Sequence, residues 1–502
     1  MPFSCGCLTI QWFTGRRLGR RTSPHKEGNS VTPYSNDDAG IPNLHHLDAT
    51  RPRHSTGYRV SHRVRTAIAC VIVALLCCAG TATAATLLDL DGTIQNRAVD
   101  MLPQDGDSAS SQIIDPNAGQ SIEFVVLGQD TREGEGNAAI GGSDEDTANL
   151  HNADTTMVVQ VAADRSWINL VSIPRDSIVD VPSCETSNGT IPAQYDVMFN
   201  SIFPNAYSVG GDLASAASCT VSAINSLTGL DIQNFIVVDF QGLSSMIDAL
   251  GGVDICIPVD TEDAYTGLSL TQGLHHLDGN TATQYARMRH GTGTDGTDIM
   301  RTTRQQYLIK QLLSEAMSKN LFTQTSQLYQ LAKSALQSLN ISRGLANTTT
   351  LAGLAMSLAD FDMTHLYAQT VPVQEWALDT NRRVWTSDAD TLWAKMREGK
   401  PITIADDTTD DTSATDDATG DSGDTSDGTD TSTDTEGTDD TTQQVDPDTG
   451  LITLDDGTLI DPDTGGIVNP ENGSITDPNT GEYIGIADRY LNVTVCAVTA
   501  QE

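Results

Sequence analysis

The run from Thr66 to Leu88 contains no charged residue, and it constrains the rest of the chain more than any other feature. As a helix, TAIACVIVALLCCAGTATAATLL is long enough to cross a hydrocarbon layer of roughly 30 Å. Arg16, Arg17, Arg20, Arg21, Arg51, Arg53, Arg59, Arg63 and Arg65 precede it, whereas Asp89 and Asp91 follow. That asymmetry predicts a single-pass anchor in the cell membrane, with the N-terminus cytoplasmic and everything after Leu88 outside. Ala82-Thr83-Ala84-Ala85 also resembles a signal-peptidase site. The basic preface is longer than a signal's charged region, which favours the anchor.

Composition then divides the chain. Residues 1–64 read as a basic disordered tail, 65–88 as the membrane helix and 89–119 as a linker. Residues 120–401 form a folded domain, 402–445 an acidic spacer and 446–502 a turn-repeat segment. Aromatic residues make up only 5% of the chain and there are 42 glycines, so a sizeable part builds no core. From Asp406 to Thr442 nearly every residue is Asp, Thr, Ser or Gly, a self-repelling stretch that predicts an extended spacer. The net charge of -39 gives no footing for nucleic acid. Beyond the spacer, Asp446-Pro447-Asp448-Thr449-Gly450 recurs at Asp461, Asn469 and Asp477 in related form. Proline presets φ and glycine takes a positive φ, so each repeat predicts a turn between short hairpin strands. No twelve-residue calcium loop is present.

Cys184, Cys219, Cys256 and Cys496 would face an oxidising compartment. Four cysteines allow three pairings, which spacing leaves open. No zinc-type C-x-x-C pair occurs.

The middle of the chain reads as α/β, a mixed β-sheet core flanked by helices. Ile122–Gly128, Thr155–Val161, Ile168–Ile173 and Phe235–Phe240 are strand runs. Helical patterns cover Gly211–Leu227, Gln241–Leu250 and Thr302–Lys319. Charged residues gather at the strand ends: Asp130 and Arg132 after the first, Asp154 before the second, Arg175 and Asp176 after the third. If the second and third strands form a hairpin, these ends meet at one rim, where such folds place ligands. Carboxylates there suit a hard cation of the Mg²⁺ type, and guanidinium forks suit phosphate oxygens. Arg287 and Arg289, then Asp298, Arg301, Arg304 and Gln305, add a second cluster. A solvated helix face with i,i+3 charges is the competing reading of that cluster.

In this order, Leu127-Gly128-Gln129-Asp130-Thr131-Arg132, Ala153-Asp154-Thr155, Ser172-Ile173-Pro174-Arg175-Asp176, Gly251-Gly252-Val253-Asp254, Leu277-Asp278-Gly279, Tyr285-Ala286-Arg287-Met288-Arg289 and Asp298 to Gln306 resemble the LytR–CpsA–Psr family of membrane-anchored envelope enzymes. Cys184, Cys219 and Cys256 resemble its actinobacterial branch. The resemblance implies a transferase that moves a glycopolymer from a polyprenyl-pyrophosphate carrier onto peptidoglycan through a phosphodiester bond, releasing polyprenyl phosphate. It implies Mg²⁺, or Mn²⁺ in its place, on Asp130 and Asp154. It implies a pyrophosphate clamp of Arg132, Arg175, Arg287, Arg289, Arg301 and Arg304, with Gln305 as companion. Asp298 would orient arginines or serve as base, and part of the apolar core would enclose the polyprenyl chain. Two departures stand out: Asn152 where the family has arginine, and Met198-Phe199-Asn200-Ser201 where it has Lys-Ile-Asn-Ala. A non-catalytic lipid-pyrophosphate-binding regulator is the alternative function, and a surface adhesion protein built on the repeats is a third.

Overall fold

The computed structural model describes residues 65–73, 85–104, 119–133, 135–141, 151–318, 325–403 and 445–496. The N-terminal tail, the middle of the apolar run and the acidic spacer therefore lie outside the described residues. The chain divides into two compact units, 1–75 and 76–502. In the first, 65–73 is helical. Among the described residues no helix is long and apolar enough to cross a membrane.

The second unit is built on a seven-stranded mixed sheet. In chain order its strands are β1 (Ala98–Val99), β2 (Ile122–Thr131), β3 (His151–Val161), β4 (Ile168–Ser172), β5 (Phe235–Asp239), β6 (Leu339–Ser342) and β7 (Leu366–Thr370). Their spatial order is β1-β6-β5-β2-β3-β4-β7. β2 runs antiparallel to β3, and β3 antiparallel to β4, while β5 joins β2 in parallel. The expected hairpin therefore exists, and the C-terminal end of β2 lies beside the start of β3.

Strand alternation sends two apolar sets to opposite faces. Val125, Leu127, Val158, Val171, Phe235 and Val237 pack against one helical layer, made of α2 (Ile202–Gly210), α3 (Leu213–Thr228) and α9 (Ser387–Arg397). α3 carries no charged residue, is capped by Asp212 and stops at Gly229, whose φ is +71°. The opposite face, including Phe124, Val126, Met157 and Leu170, meets α4 (Phe240–Leu250), α6 (Asp298–Ser318) and α8 (Thr348–Ser357). α1 (Glu135–Gly141), α5 (Gly279–Arg287) and α7 (Thr325–Ser338) complete that layer.

Two boundaries differ from the sequence expectation. The helix at 85–95, placed partly in the membrane segment and partly in the linker, buries Ile94 against Leu336 and Ile341, while Asp89 pairs with Lys333. The fold thus starts upstream of residue 120, because β1 is its edge strand.

The turn-repeat segment folds as a five-stranded meander, β8 (Ile452–Thr453), β9 (Leu459–Ile460), β10 (Ile467–Val468), β11 (Ser474–Thr476) and β12 (Tyr483–Ile486). Asp446 and Asp477 each accept two backbone N–H bonds from their own turns, and Gly450 and Gly481 have φ of +74° and +72°. This meander docks on α6. Leu491 is fully buried in the domain core, the Tyr307 hydroxyl donates to Asn492, and Lys310 pairs with Asp488 at 3.0 Å. Disulfides join Cys184 to Cys219 and Cys256 to Cys496, the second fastening the meander to the domain.

Candidate active site

A break in the β2–β3 ladder creates the site. Gly128 pairs with Thr155, but Gln129 pairs with Ala153, so Asp154 is an extra residue in β3. Such a bulge re-aims a side chain, and here it turns Asp154 towards the face that carries Thr155 and Met157. Gly128 is needed opposite: a Cβ there would lie 2.8 Å from the Thr155 Cβ. Asp130, two residues on, pairs with Asn152, the position where an arginine was expected.

These strand ends open onto a cavity of about 270 Å³ between the sheet and α4, α5 and α6. Asp130, Asp154, Arg287, Arg289, Arg301 and Gln305 line it on the side of the strand ends. The rest of its lining is mainly apolar, including Val126, Met157, Val238, Leu243, Leu308 and Ile309.

The charged residues divide into three roles. Arg287, Arg289 and Arg301 line the cavity itself. Arg287 lies 4.2 Å over the Phe240 ring and donates to the Ile140 carbonyl. Arg301 donates to the Asp154 carbonyl at 2.7 Å and pairs with Asp298 at 2.5 Å, one helical turn back. Among the described residues the Arg289 guanidinium forms no ion pair, and its buried Nε has no hydrogen-bond partner. A half-buried cation left in that state is poised for an anion.

Arg132 and Arg175 stand behind the carboxylates. Arg132 grips Asp130 through both oxygens, at 2.9 and 3.3 Å. Arg175 holds Asp154 at 2.8 Å, with Asp298 at 3.6 Å and Asp176 at 3.7 Å from its Nε. Its main chain is fixed too: its N–H donates to Asp298 and its carbonyl accepts from Asn200.

Arg304 corrects the expected clamp. It is buried, and its two Nη atoms donate to the carbonyls of Met288 and Gly293, so it pins the loop before α6 instead of facing the cavity. Asp298 is likewise enclosed: it does not line the cavity, and both oxygens contact Arg175 or Arg301. Of its two expected roles, that surrounding supports orientation of the arginines. Gln305 accepts from Thr155 and donates to Ala286, tying β3 to α5.

Electrostatics separate the two aspartates. Burial and the neighbouring Asp154 charge push Asp130 above the usual carboxylate range, although Arg132 pulls it down. Burial acts the same way on Asp154, but Arg301 and Arg175 outweigh it and hold Asp154 below that range. Two carboxylates that line one cavity, with the charge of Asp154 raising Asp130, are a donor set that fits a hard divalent cation. No group of three or more metal-ligating side chains occurs among the described residues.

Sequence reasoning missed three contributors. Asp239 lines the cavity at the end of β5 and caps α4 through Gly242. It obeys the same strand-end pattern as Asp130 and was legible on that ground. Phe240 underlies Arg287, and Arg382, from a hairpin far along the chain, pairs with Asp176 at 3.4 Å. Nothing local in the sequence signals that pairing.

Residues 90–398 match the LytR_cpsA_psr family. A protein of Corynebacterium glutamicum named "Cell wall biosynthesis protein LcpA" is 26% identical over 333 residues, 62% of this chain and 60% of that one. The Bacillus subtilis "Polyisoprenyl-teichoic acid--peptidoglycan teichoic acid transferase TagV" is 25% identical over 41% of this chain and 50% of its own length. The chain thus spans less than two thirds of either relative. A solved structure, "LytR-Csp2A-Psr enzyme from Actinomyces oris", aligns with 60% of this chain and 95% of its own at 19% identity and a TM-score of 0.41.

Proposed function

The chain belongs to the LytR–CpsA–Psr family, and we propose that it transfers a glycopolymer from a polyprenyl-pyrophosphate carrier to peptidoglycan. The observation that carries this reading is the two-part cavity: an arginine-lined end, where Arg289 forms no ion pair among the described residues, continuous with an apolar end. A lipid-linked pyrophosphate has that same division of chemistry, and relatives named as teichoic acid transferases point to the same reaction class.

In the proposed reaction an acceptor hydroxyl of the glycan strand attacks the phosphorus that bears the glycopolymer. The bond to the bridging oxygen breaks, polyprenyl phosphate leaves and a phosphodiester remains. Arg287, Arg289 and Arg301 bind the pyrophosphate oxygens and meet the charge that develops on them. Arg175 and Asp298 hold Asp154 and Arg301 in place, and Arg132 does so for Asp130. Val126, Leu243 and Leu308 receive the first part of the lipid and keep water from it. Asp130 and Asp154 would hold Mg²⁺, which supplies further neutralisation of phosphate charge. A membrane anchor in 65–88, with this domain outside the cytoplasm, would place the cavity within reach of a lipid carrier.

The test is incubation of the full-length chain with a polyprenyl-diphosphate-linked oligosaccharide, Mg²⁺ and nascent peptidoglycan. Polyprenyl phosphate release that is lost in Asp154→Ala supports the reading. Tight binding of the lipid with no release in any condition would instead favour the regulator.

A further inference from the structure

Asp263 is a buried carboxylate outside the catalytic cluster, and it holds two loops together. It accepts from the backbone N–H of Tyr265 at 2.8 Å, and from those of Arg289 and His290 at 3.3 Å each. The hairpin Thr261–Asp263/Leu268–Leu270 is thereby locked to the segment that follows Arg289. Glu262 and Thr292 complete the lock by exchanging two hydrogen bonds at 3.0 Å. Gly291 allows it: its φ is +94°, and a Cβ there would lie 1.8 Å from the Glu262 carbonyl oxygen.

The result is an aromatic pair, one member of which follows Arg289 directly in the chain. The Tyr265 ring lies 4.9 Å from the His290 ring at 54°, and Tyr265 is 85% exposed. A single exposed aromatic is ordinary on a protein surface. This one differs because a carboxylate that is 1% exposed fixes its backbone, and because its partner His290 directly follows Arg289. The cavity-lining Arg289 and the aromatic pair are thus carried by one hydrogen-bonded pair of loops.

We propose that Tyr265 and His290 form a stacking platform for a pyranose ring, next to the phosphate bound by Arg289. The inference rests on the glycopolymer-transfer reading of the cavity. A flat ring with a polar edge suits the apolar C–H face of a sugar, and it loses little conformational freedom when it binds. The sugar comes either from the carrier-linked glycan or from the acceptor strand, and kinetics distinguish the two.

Rates of polyprenyl phosphate release should be measured with full-length wild type, Tyr265→Ala and Tyr265→Phe. A polyprenyl-diphosphate-linked disaccharide and a soluble glycan-strand tetrasaccharide should each be varied in turn. Tyr265→Ala is expected to raise KM for one saccharide about tenfold, with kcat within about threefold, as for loss of an aromatic binding contact. Tyr265→Phe keeps the ring and should stay within about twofold of wild type. The substrate whose KM moves identifies the sugar's source. Both KM values unchanged in Tyr265→Ala would overturn the platform. If wild type releases no polyprenyl phosphate, saturation-transfer NMR with the same two saccharides decides independently. A signal lost in Tyr265→Ala upholds the platform while the transfer reading fails, and no signal from wild type rejects it.

Discussion

Arg175 touches three carboxylates, and its importance lies in that geometry more than in its charge. Replacing it with lysine keeps the charge but loses the planar fork that spans Asp154 and Asp298. Both Arg175→Ala and Arg175→Lys are expected to lower polyprenyl phosphate release about 10²-fold, read from initial rates at saturating donor. Lysine activity equal to wild type would mean a point charge suffices. At this scale the strand-end residues Asp130, Asp154 and Arg175 were legible in the sequence, because alternating strands bring their ends to one rim. Arg304 was not. It stands one helical turn from Arg301, yet the carbonyls of Met288 and Gly293 capture it. Spacing on a helix says which residues are neighbours and does not say which acceptors each long side chain meets.

At the level of elements, the bulge in β3 and the meander docked on α6 were both invisible in advance. Periodicity reveals strands, but an extra residue in one strand appears only once its partner is known. Gly128→Ala forces a Cβ against Thr155 and is expected to cost about 1–3 kcal/mol, measured by denaturant unfolding. The hairpin turns of the repeats were legible from their Pro and Gly positions, whereas their docking depends on long-range contacts of Lys310, Tyr307 and Leu491. That docking carries a pH signature. Asp461 packs beside Asp463 near Lys310, and burial together with the Asp463 charge pushes it up from 3.8 to about 6. A folded-state value above the unfolded one adds stability that is complete below 3.8 and is lost as pH rises through about 6. Burial raises Asp463 too, against the pull of Lys310, so it acts in the same direction. Melting temperature should therefore fall between pH 4 and pH 7, and Asp461→Asn should flatten the slope. An unchanged slope in that variant would place the titration elsewhere.

For the whole molecule, the sequence suggested a folded domain over 120–401 followed by an acidic spacer and a separate turn-repeat segment. The described residues give a different picture, since 445–496 belongs to the same compact unit as the sheet. Removing 445–502 would uncover the apolar cluster that Leu491, Ile486 and Val495 help to close, and would delete the Cys256–Cys496 disulfide. The truncated chain is expected to melt well below the full chain and to lose activity, because α6 carries Arg301 and Gln305. Full activity after truncation would show that the meander is an accessory. The overall α/β class was legible because its strands are long apolar runs separated by helical periodicity. The composite cavity was not, since its wall draws on residues from Val126 to Ile309.

The most direct measurement compares polyprenyl phosphate release by wild type, Arg289→Ala and Asp154→Ala at equal folded concentration. Arg289 makes no ion pair among the described residues, so its loss should leave melting temperature nearly unchanged. Release should nevertheless fall about 10²-fold in both variants, as expected when a charge-stabilising group is removed from a phosphoryl-transfer site. Release at the wild-type rate from a folded Arg289→Ala variant would contradict the assignment of this cavity as the pyrophosphate site.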